Sequence, residues 1–310
     1  MTQEYRAPAI FAAAFITLLF GAGCRNRPQK KSPGDTAFLT IECDLWNYQA
    51  CFALGGKYAT GDGVAENDAR GVALLQRACD GGYAQGCSVW GLMFELGRGV
   101  AQDTSRAVTL YRKACEAGDG LGCGYLAAMY DSGERTAKDQ AAAVKLYQEG
   151  CDRNNAMSCG ELGRMYFIGS GVAKDEARGV ALYRGACDGG YPRACEALGV
   201  LYEDGTGVGK DQAHANEFYQ RACDAGDAPG CFFLAGSYLN GSGVAKDFAR
   251  AAELNQRACD GGEGGACAFL AFCYERGMGV AKDLARAREL YKTACGLGEK
   301  NACDDVARLH

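Results

Sequence analysis

A chain of 310 residues would by length alone hold about two globular domains, and its formal charge of −5 argues against a nucleic-acid partner. Two histidines leave few general bases for catalysis, and eighteen cysteines exclude a reducing compartment unless they bind metal. The 45 glycines are periodic rather than clustered, so they mark turns and not disorder.

The chain opens as an export signal. Arg6 supplies a short basic region, weakened by Glu4, and Ala9 to Phe20 form an apolar stretch of 12 residues. A membrane span needs about 20. Gly21-Ala22-Gly23-Cys24 follows. Small residues ahead of a cysteine resemble the bacterial lipobox, in which that cysteine is lipidated and becomes the new N-terminus. Gly21 departs from the Leu usual there, and a plain secretory signal with an incidental cysteine is the alternative. We expect a lipoprotein-type signal over residues 1–23, lipidation at Cys24 and a flexible basic tether over 24–36, where Pro28, Pro33 and Gly34 oppose helix. Residues 1–31 hold five basic and one acidic side chain, +4, which leaves about −9 for the rest.

From residue 37 to 310 the chain repeats itself. Two cysteines bracket seven residues eight times: Cys43/Cys51, Cys79/Cys87, Cys115/Cys123, Cys151/Cys159, Cys187/Cys195, Cys223/Cys231, Cys259/Cys267 and Cys295/Cys303. Each bracket begins 36 residues after the last. A fixed period of this length is the signature of a solenoid, which grows by adding units and needs no single core.

Each unit reads as two helices. Helix A runs to a glycine present in every unit (Gly61, Gly97, Gly133, Gly169, Gly205, Gly241, Gly277). Helix B starts after Asn67, Asp103, Asp139, Asp175, Asp211, Asp247 and Asp283, side chains that accept from the free N–H groups of a first turn. It ends near Gly82, Gly118, Gly190, Gly226, Gly262 and Gly298, with Asn154 once. Leu54 recurs in helix A, with an aromatic four residues on (Tyr58, Phe94, Tyr130, Tyr166, Tyr202, Tyr238, Tyr274) and Gly or Ala between. Helix B repeats Tyr111, Tyr147, Tyr183, Tyr219 and Tyr291. At helical spacing these aromatics predict a packing seam rather than a ligand box. The third unit departs at Gly133-Glu134-Arg135-Thr136, where Arg135 replaces the second glycine of Gly-x-Gly-Val, and a rearranged turn is expected.

The motifs Leu-Gly-x-x-Tyr-x-x-Gly, Gly-x-Gly-Val-x-x-Asp and Ala-x-x-x-Tyr-x-x-Ala resemble the Sel1-like repeat family, a relative of tetratricopeptide repeats, over about residues 40–310. The cysteine-bracketed form is similar to the Helicobacter cysteine-rich proteins. The resemblance implies an all-α fold: an α/α solenoid of seven full repeats with N- and C-terminal capping helices and a right-handed superhelix.

Eight residues of continuous helix would separate bracketing cysteines by about 12 Å, and a disulfide needs Cα atoms within about 7 Å. The chain must therefore turn between them, at the glycines. Pairing within one hairpin, as Cys51 with Cys79, is also geometrically possible but would orphan Cys43 and Cys303. The bracket pairing leaves none of the sixteen alone and is the one expected, with a structural role. Structural zinc would call for Cys-x2–4-Cys spacing, whereas the spacing here is Cys-x7-Cys with no histidine near any bracket. No metal or other cofactor is expected. Cys273 is left over, at a position mostly apolar in other units, and reads as a buried inert thiol.

Some members of the cysteine-rich subset are described as β-lactamases or penicillin binders, so the resemblance implies a cell-wall activity as the alternative function. The sequence has no Ser-x-x-Lys, Ser-Asp-Asn, Lys-Thr-Gly, Gly-x-Ser-x-Gly or His-Glu-x-x-His, and Lys292-Thr293-Ala294 stops short. Gly-x-Gly-Val recurs as a turn, with no strand before it to make a phosphate loop. His214 and His310 have no evident partner and read as exposed. No catalytic residue is assigned. The expected function is protein or peptide binding on the concave face lined by helix A. Helix A positions that vary between units are the candidates: Phe52, Leu92, Arg164, Phe232, Phe233, Phe269 and Phe272. The expected location is the cell envelope, periplasm or outer membrane, held by the lipid anchor, and otherwise the chain is secreted. Oligomeric state is left open.

Overall fold

The structure is a computed structural model in which residues 33–133 and 137–309 are described. Among them lie sixteen helices and no strand. Helix α1 (Pro33–Asp44) leads into the hairpins α2/α3 (Tyr48–Thr60, Asp68–Asp80), α4/α5 (Ala84–Leu96, Thr104–Glu116) and α6/α7 (Gly120–Ser132, Gln140–Asp152). Then come α8/α9 (Ala156–Ile168, Glu176–Asp188), α10/α11 (Pro192–Asp204, Gln212–Asp224), α12/α13 (Ala228–Asn240, Phe248–Asp260) and α14/α15 (Gly264–Arg276, Leu284–Gly296), with α16 (Lys300–Arg308) last. The chain forms two compact units, residues 1–158 and 159–310, with the boundary inside α8. The signal segment, Cys24, most of the tether, Arg135 and His310 lie outside the described residues. The tether was expected to run to residue 36, whereas α1 begins at Pro33. Proline is tolerated at a first helical position, where its missing N–H has no intrahelical partner to lose. No described helix is long and apolar enough to cross a membrane.

The turn inside each hairpin follows from its sequence. Helix α4 stops at Gly97, which takes φ +67°. The Arg98 N–H then donates back to the Met93 carbonyl at 3.0 Å. Asp103 closes the turn twice over. Its backbone N–H donates to the Phe94 carbonyl at 3.0 Å, and its side chain accepts from the Arg106 N–H at 3.0 Å. The same side-chain cap recurs at all seven helix B starts.

The joint between hairpins is tighter than the periodicity suggests. Helix α3 ends at Asp80, two residues ahead of Gly82, the residue that takes the left-handed conformation. Tyr83 N–H donates to the Ala78 carbonyl at 2.9 Å and Gly82 N–H to the Cys79 carbonyl at 3.1 Å, a Schellman closure. The first joint puts Trp46 at the equivalent position with φ +67°, a conformation that a bulky side chain rarely accepts.

The brackets sit across these joints. Cys79 lies in the last turn of α3 and Cys87 in the first turn of α4, with Cα atoms 4.6 Å apart. The same bridge joins Cys43 to Cys51 at 4.7 Å and Cys115 to Cys123 at 4.5 Å in the first unit. In the second unit it joins Cys187 to Cys195 at 4.8 Å, Cys223 to Cys231 at 4.5 Å, Cys259 to Cys267 at 4.6 Å and Cys295 to Cys303 at 4.9 Å. Cys151 and Cys159 are also disulfide-bonded. Cys195 and Cys231, the fourth residues of α10 and α12, are both buried, so their sulfurs are core atoms rather than surface ones. Cys273 is a buried free thiol that burial pushes up to about 11.

Within each unit the core is a ladder of small residues and large ones. Tyr111 of α5 is fully buried over Gly91 of α4, where an added Cβ would lie 2.8 Å from the ring. Tyr219 sits over Gly199 in the same way. The helix A aromatics pack as the seam predicts, with Phe94 in the core and Tyr130, Tyr202, Tyr238 and Tyr274 packed against it, though of the seven only Phe94 is buried. The others keep part of the ring in solvent. Arginines of helix B cover some of them, as Arg70 over Tyr58 at 4.6 Å and Arg178 over Tyr166 at 4.2 Å. Consecutive helix B ends are linked on the surface by ion pairs at a separation of 33 residues: Arg77–Asp44, Lys113–Asp80, Arg221–Asp188 and Arg257–Asp224. Exposed pairs of this kind contribute about 0–1 kcal/mol each.

The disulfides are the stronger link. Replacing both Cys259 and Cys267 with Ala is expected to cost about 2–3 kcal/mol by the loop-closure argument, read as an earlier urea midpoint. An unchanged midpoint would mean that the Schellman turn and packing hold the joint unaided.

Candidate partner-binding face

Successive first helices touch one another, α4 with α6 in the first unit and α10 with α12 in the second. The face they line is not uniform. In the first unit two of the expected contact residues are structural. Leu92 is 5% exposed, in a cluster with Val72, Leu75 and Val89, and is withdrawn from the surface. Phe52 is half-buried against the Tyr83 ring at 5.2 Å between centroids.

The second unit brings the remaining candidates into two clusters. Arg164 of α8 pairs with Glu161 at 2.9 Å. Glu161 also accepts from Tyr191 at 2.8 Å and lies 3.4 Å from Arg193. Burial pushes the Glu161 carboxyl up, but Arg193, then Arg164, and the hydrogen bonds from Arg164 and Tyr191 outweigh it and hold the group below its ordinary value. One repeat further on, at the position of Phe232, stands Glu196. Burial and then the charge of Asp227 push it up to about 7, against the pull of Arg193. The residues just ahead of Glu196 and Phe232 are Cys195 and Cys231. Buried and bonded to Cys187 and Cys223, these two are structural and take no part in the exposed face.

The aromatic cluster follows on α12 and α14. Phe232 packs on the core of the unit, and its ring lies 6.2 Å from that of Phe233. Phe233 stacks on Tyr219 at 5.2 Å, yet 36% of it is exposed. Phe269 and Phe272 are 6.1 Å apart, and Phe272 is also 36% exposed. Phe232, Ala268, Phe269 and Phe272 line a groove of about 390 Å³, with the polar edge drawn from Glu299, Asn301 and Asp305. The rings are thus partly committed to packing and partly offered to solvent. The groove pairs aromatic faces with carboxylates.

Three arrangements were not read from the sequence. Tyr111, Tyr219 and Tyr291 donate to the carboxylates of Glu95, Glu203 and Glu275, at 2.7, 2.6 and 3.1 Å, sixteen residues earlier in each case. That spacing was visible once the units were aligned. Arg98 grips Asp68 of the preceding hairpin through two nitrogens, at 3.0 and 2.6 Å, and also reaches the Ala59 carbonyl at 2.8 Å. His214, read as having no partner, faces Asp211 at 2.8 Å, and this carboxylate holds the exposed imidazole above its ordinary value. The bond arises because a residue three positions into a helix lies beside its capping side chain. Cys115, Cys123 and Glu149 bring two sulfurs and a carboxylate within 4.8 Å of one another. The sulfurs are bonded to each other, so neither offers a thiolate to a cation.

The model of the Sel1 repeat family matches residues 49–83, 84–119, 121–155, 156–191, 192–227, 228–263 and 265–299. Among solved structures the chain is similar to c5321, a protective antigen of uropathogenic Escherichia coli displaying an SLR fold. The match has 27% identity and TM-score 0.64, over 88% of this chain and 59% of that one. The chain therefore spans little more than half the length of that relative. It also matches a Sel1 repeat protein from Oxalobacter formigenes, with 22% identity and TM-score 0.71 over 100% of this chain and 97% of that one. Helicobacter pylori cysteine rich protein B matches at 23% identity and TM-score 0.32, over 53% and 96%. No curated protein matches by sequence.

Because the folded pKa of Glu196 stands above the unfolded one, the folded state favours its protonated form. That contribution to stability is complete below the ordinary carboxylate range and is lost as pH rises through about 7. Glu196→Gln stays neutral throughout. Its melting temperature should exceed that of the wild type at pH 8 and match it at pH 4, whereas the same difference at both would show that Glu196 titrates as an ordinary surface carboxyl.

Proposed function

The chain belongs to the Sel1 repeat family, and on that footing we propose that it is an exported, lipid-anchored scaffold that binds a protein or peptide on the concave face lined by its helix A elements. Seven described disulfides point to an oxidising, extracytoplasmic environment. The apolar Ala9–Phe20 stretch and Cys24 supply the route and the anchor to the envelope. Repeat proteins of this kind typically bind proteins, through the surface that stacked hairpins create.

The observation that carries the reading is the partly exposed ring cluster Phe233, Phe269 and Phe272 beside the carboxylate-edged groove of the second unit. Aromatic anchors with one face packed are the usual centres of binding energy at an interface. The acidic edge favours a partner segment with basic or donor groups flanking an apolar residue. A photo-crosslinking amino acid at Phe272, in cells that make the full chain, is expected to attach one defined envelope protein. The same substitution at the exposed Arg276 of α14 serves as the local comparison. Attachment of no protein above the uncrosslinked background would contradict the scaffold reading. A Cys24→Ser form is expected to leave the membrane fraction, and its retention there would contradict the anchor.

A further inference from the structure

A hydrogen-bonded pair that several hairpins share is missing from α12/α13, and there, unlike in α2/α3 where Leu75 fills the core, a polar residue takes the tyrosine's place. In three hairpins a buried helix B tyrosine donates to a helix A carboxylate sixteen residues earlier: Glu95/Tyr111, Glu203/Tyr219 and Glu275/Tyr291. In α12/α13 the corresponding residues are Leu239 and Asn255, so both the phenol and its acceptor are gone. Asn255 is 1% exposed. Its Nδ2 donates to the Ala251 carbonyl of its own helix at 2.9 Å, while its Oδ1 has no hydrogen-bond partner among the described residues. Asn255 lines a pocket of about 210 Å³ together with Phe232, Phe233, Gly236, Leu239 and Glu203.

We propose that this pocket receives a tyrosine side chain of the bound partner, which takes the place that the chain's own tyrosine holds in the sister repeats. The proposal rests on the scaffold reading above and names the side chain that reading leaves open. Three features select the occupant. The cleft lies where the sister repeats keep a phenol. Its walls include the rings of Phe232, Phe233 and Phe269, which offer faces and edges to another ring. The polar atom it leaves buried and unmet is an acceptor: Asn255 Oδ1 needs a donor, whereas the Glu203 carboxylate on the rim already receives the Tyr219 hydroxyl and the Ser237 hydroxyl donates to the Phe233 carbonyl of its own helix. An aromatic ring with a hydroxyl donor meets all three. An anion is repelled by Glu203, and a phenylalanine leaves Oδ1 unmet.

The test uses the full oxidised chain with acetyl-tyrosinamide and acetyl-phenylalaninamide as probes, followed by amide NMR shifts. Acetyl-tyrosinamide should shift amides of α12 and α13 and bind about tenfold more tightly than acetyl-phenylalaninamide, as expected for a donor that satisfies a buried acceptor. Asn255→Ala should abolish that preference while phenylalaninamide still binds. The double variant Leu239→Glu, Asn255→Tyr restores the sister-repeat pair. It should melt higher than the wild type and lose tyrosinamide binding at these amides. Equal binding of the two probes, or unchanged tyrosinamide shifts in the double variant, would overturn the pocket. If tyrosinamide fails while the Phe272 crosslink persists, the pocket is wrong and the scaffold reading stands. If the tenfold preference holds while the crosslink is absent, the pocket stands and the scaffold reading falls.

Discussion

Everything in this chain depends on a three-residue reversal. Between Asp80 and Ala84 the backbone turns from one helix into the next, and it must bring two Cα atoms within disulfide reach while doing so. The Schellman closure and a left-handed residue achieve the reversal, and the cysteine pair locks it. Because the turn sits between hairpins, the lock acts where a repeat array has the fewest contacts to spare. The cystine also fills the space between helix ends, as the near-complete burial of Cys51, Cys79, Cys87, Cys123, Cys195, Cys223 and Cys231 shows. The helix pairs themselves are held by other means: a capping Asp, a glycine under a tyrosine, and a carboxylate that takes the tyrosine hydroxyl.

Most of the fold was legible because a perfect 36-residue period converts every local signal into seven or eight copies. The Asp or Asn at each helix B start could have been one incidental polar residue, but repeated at one spacing it could only be a cap. What the period hid was depth. Leu92 and Phe272 occupy the same place in the repeat, yet one is in the core and the other is about a third exposed. Alignment tells which helix face a residue shares, not how far the next hairpin covers it. The helix A aromatics show the same limit, since they pack on the core as their spacing predicts but differ in depth. Arginines cover several of the rings. Trp46 was missed because it occupies a left-handed position that elsewhere belongs to glycine or asparagine, and its residue type gives no hint of that conformation.

The functional reading runs against the period. Structural residues repeat because every joint and hairpin needs them, so specificity must reside where a unit departs. The departures beside the two clefts lie in the second unit: Glu196 where neighbours have small or aromatic residues, four phenylalanines on α12 and α14, and Asn255 in place of a tyrosine. A single interior hydrogen bond lost from the α12/α13 hairpin has left an acceptor and a cleft side by side.

The joint can be tested directly by mapping the disulfides of the protein as exported, through proteolysis without reduction and mass spectrometry of the linked peptides. The account predicts eight links, each closing one bracket such as Cys79 with Cys87, and a free thiol only at Cys273. Links within hairpins, such as Cys51 with Cys79, or bracket cysteines recovered as free thiols, would contradict it.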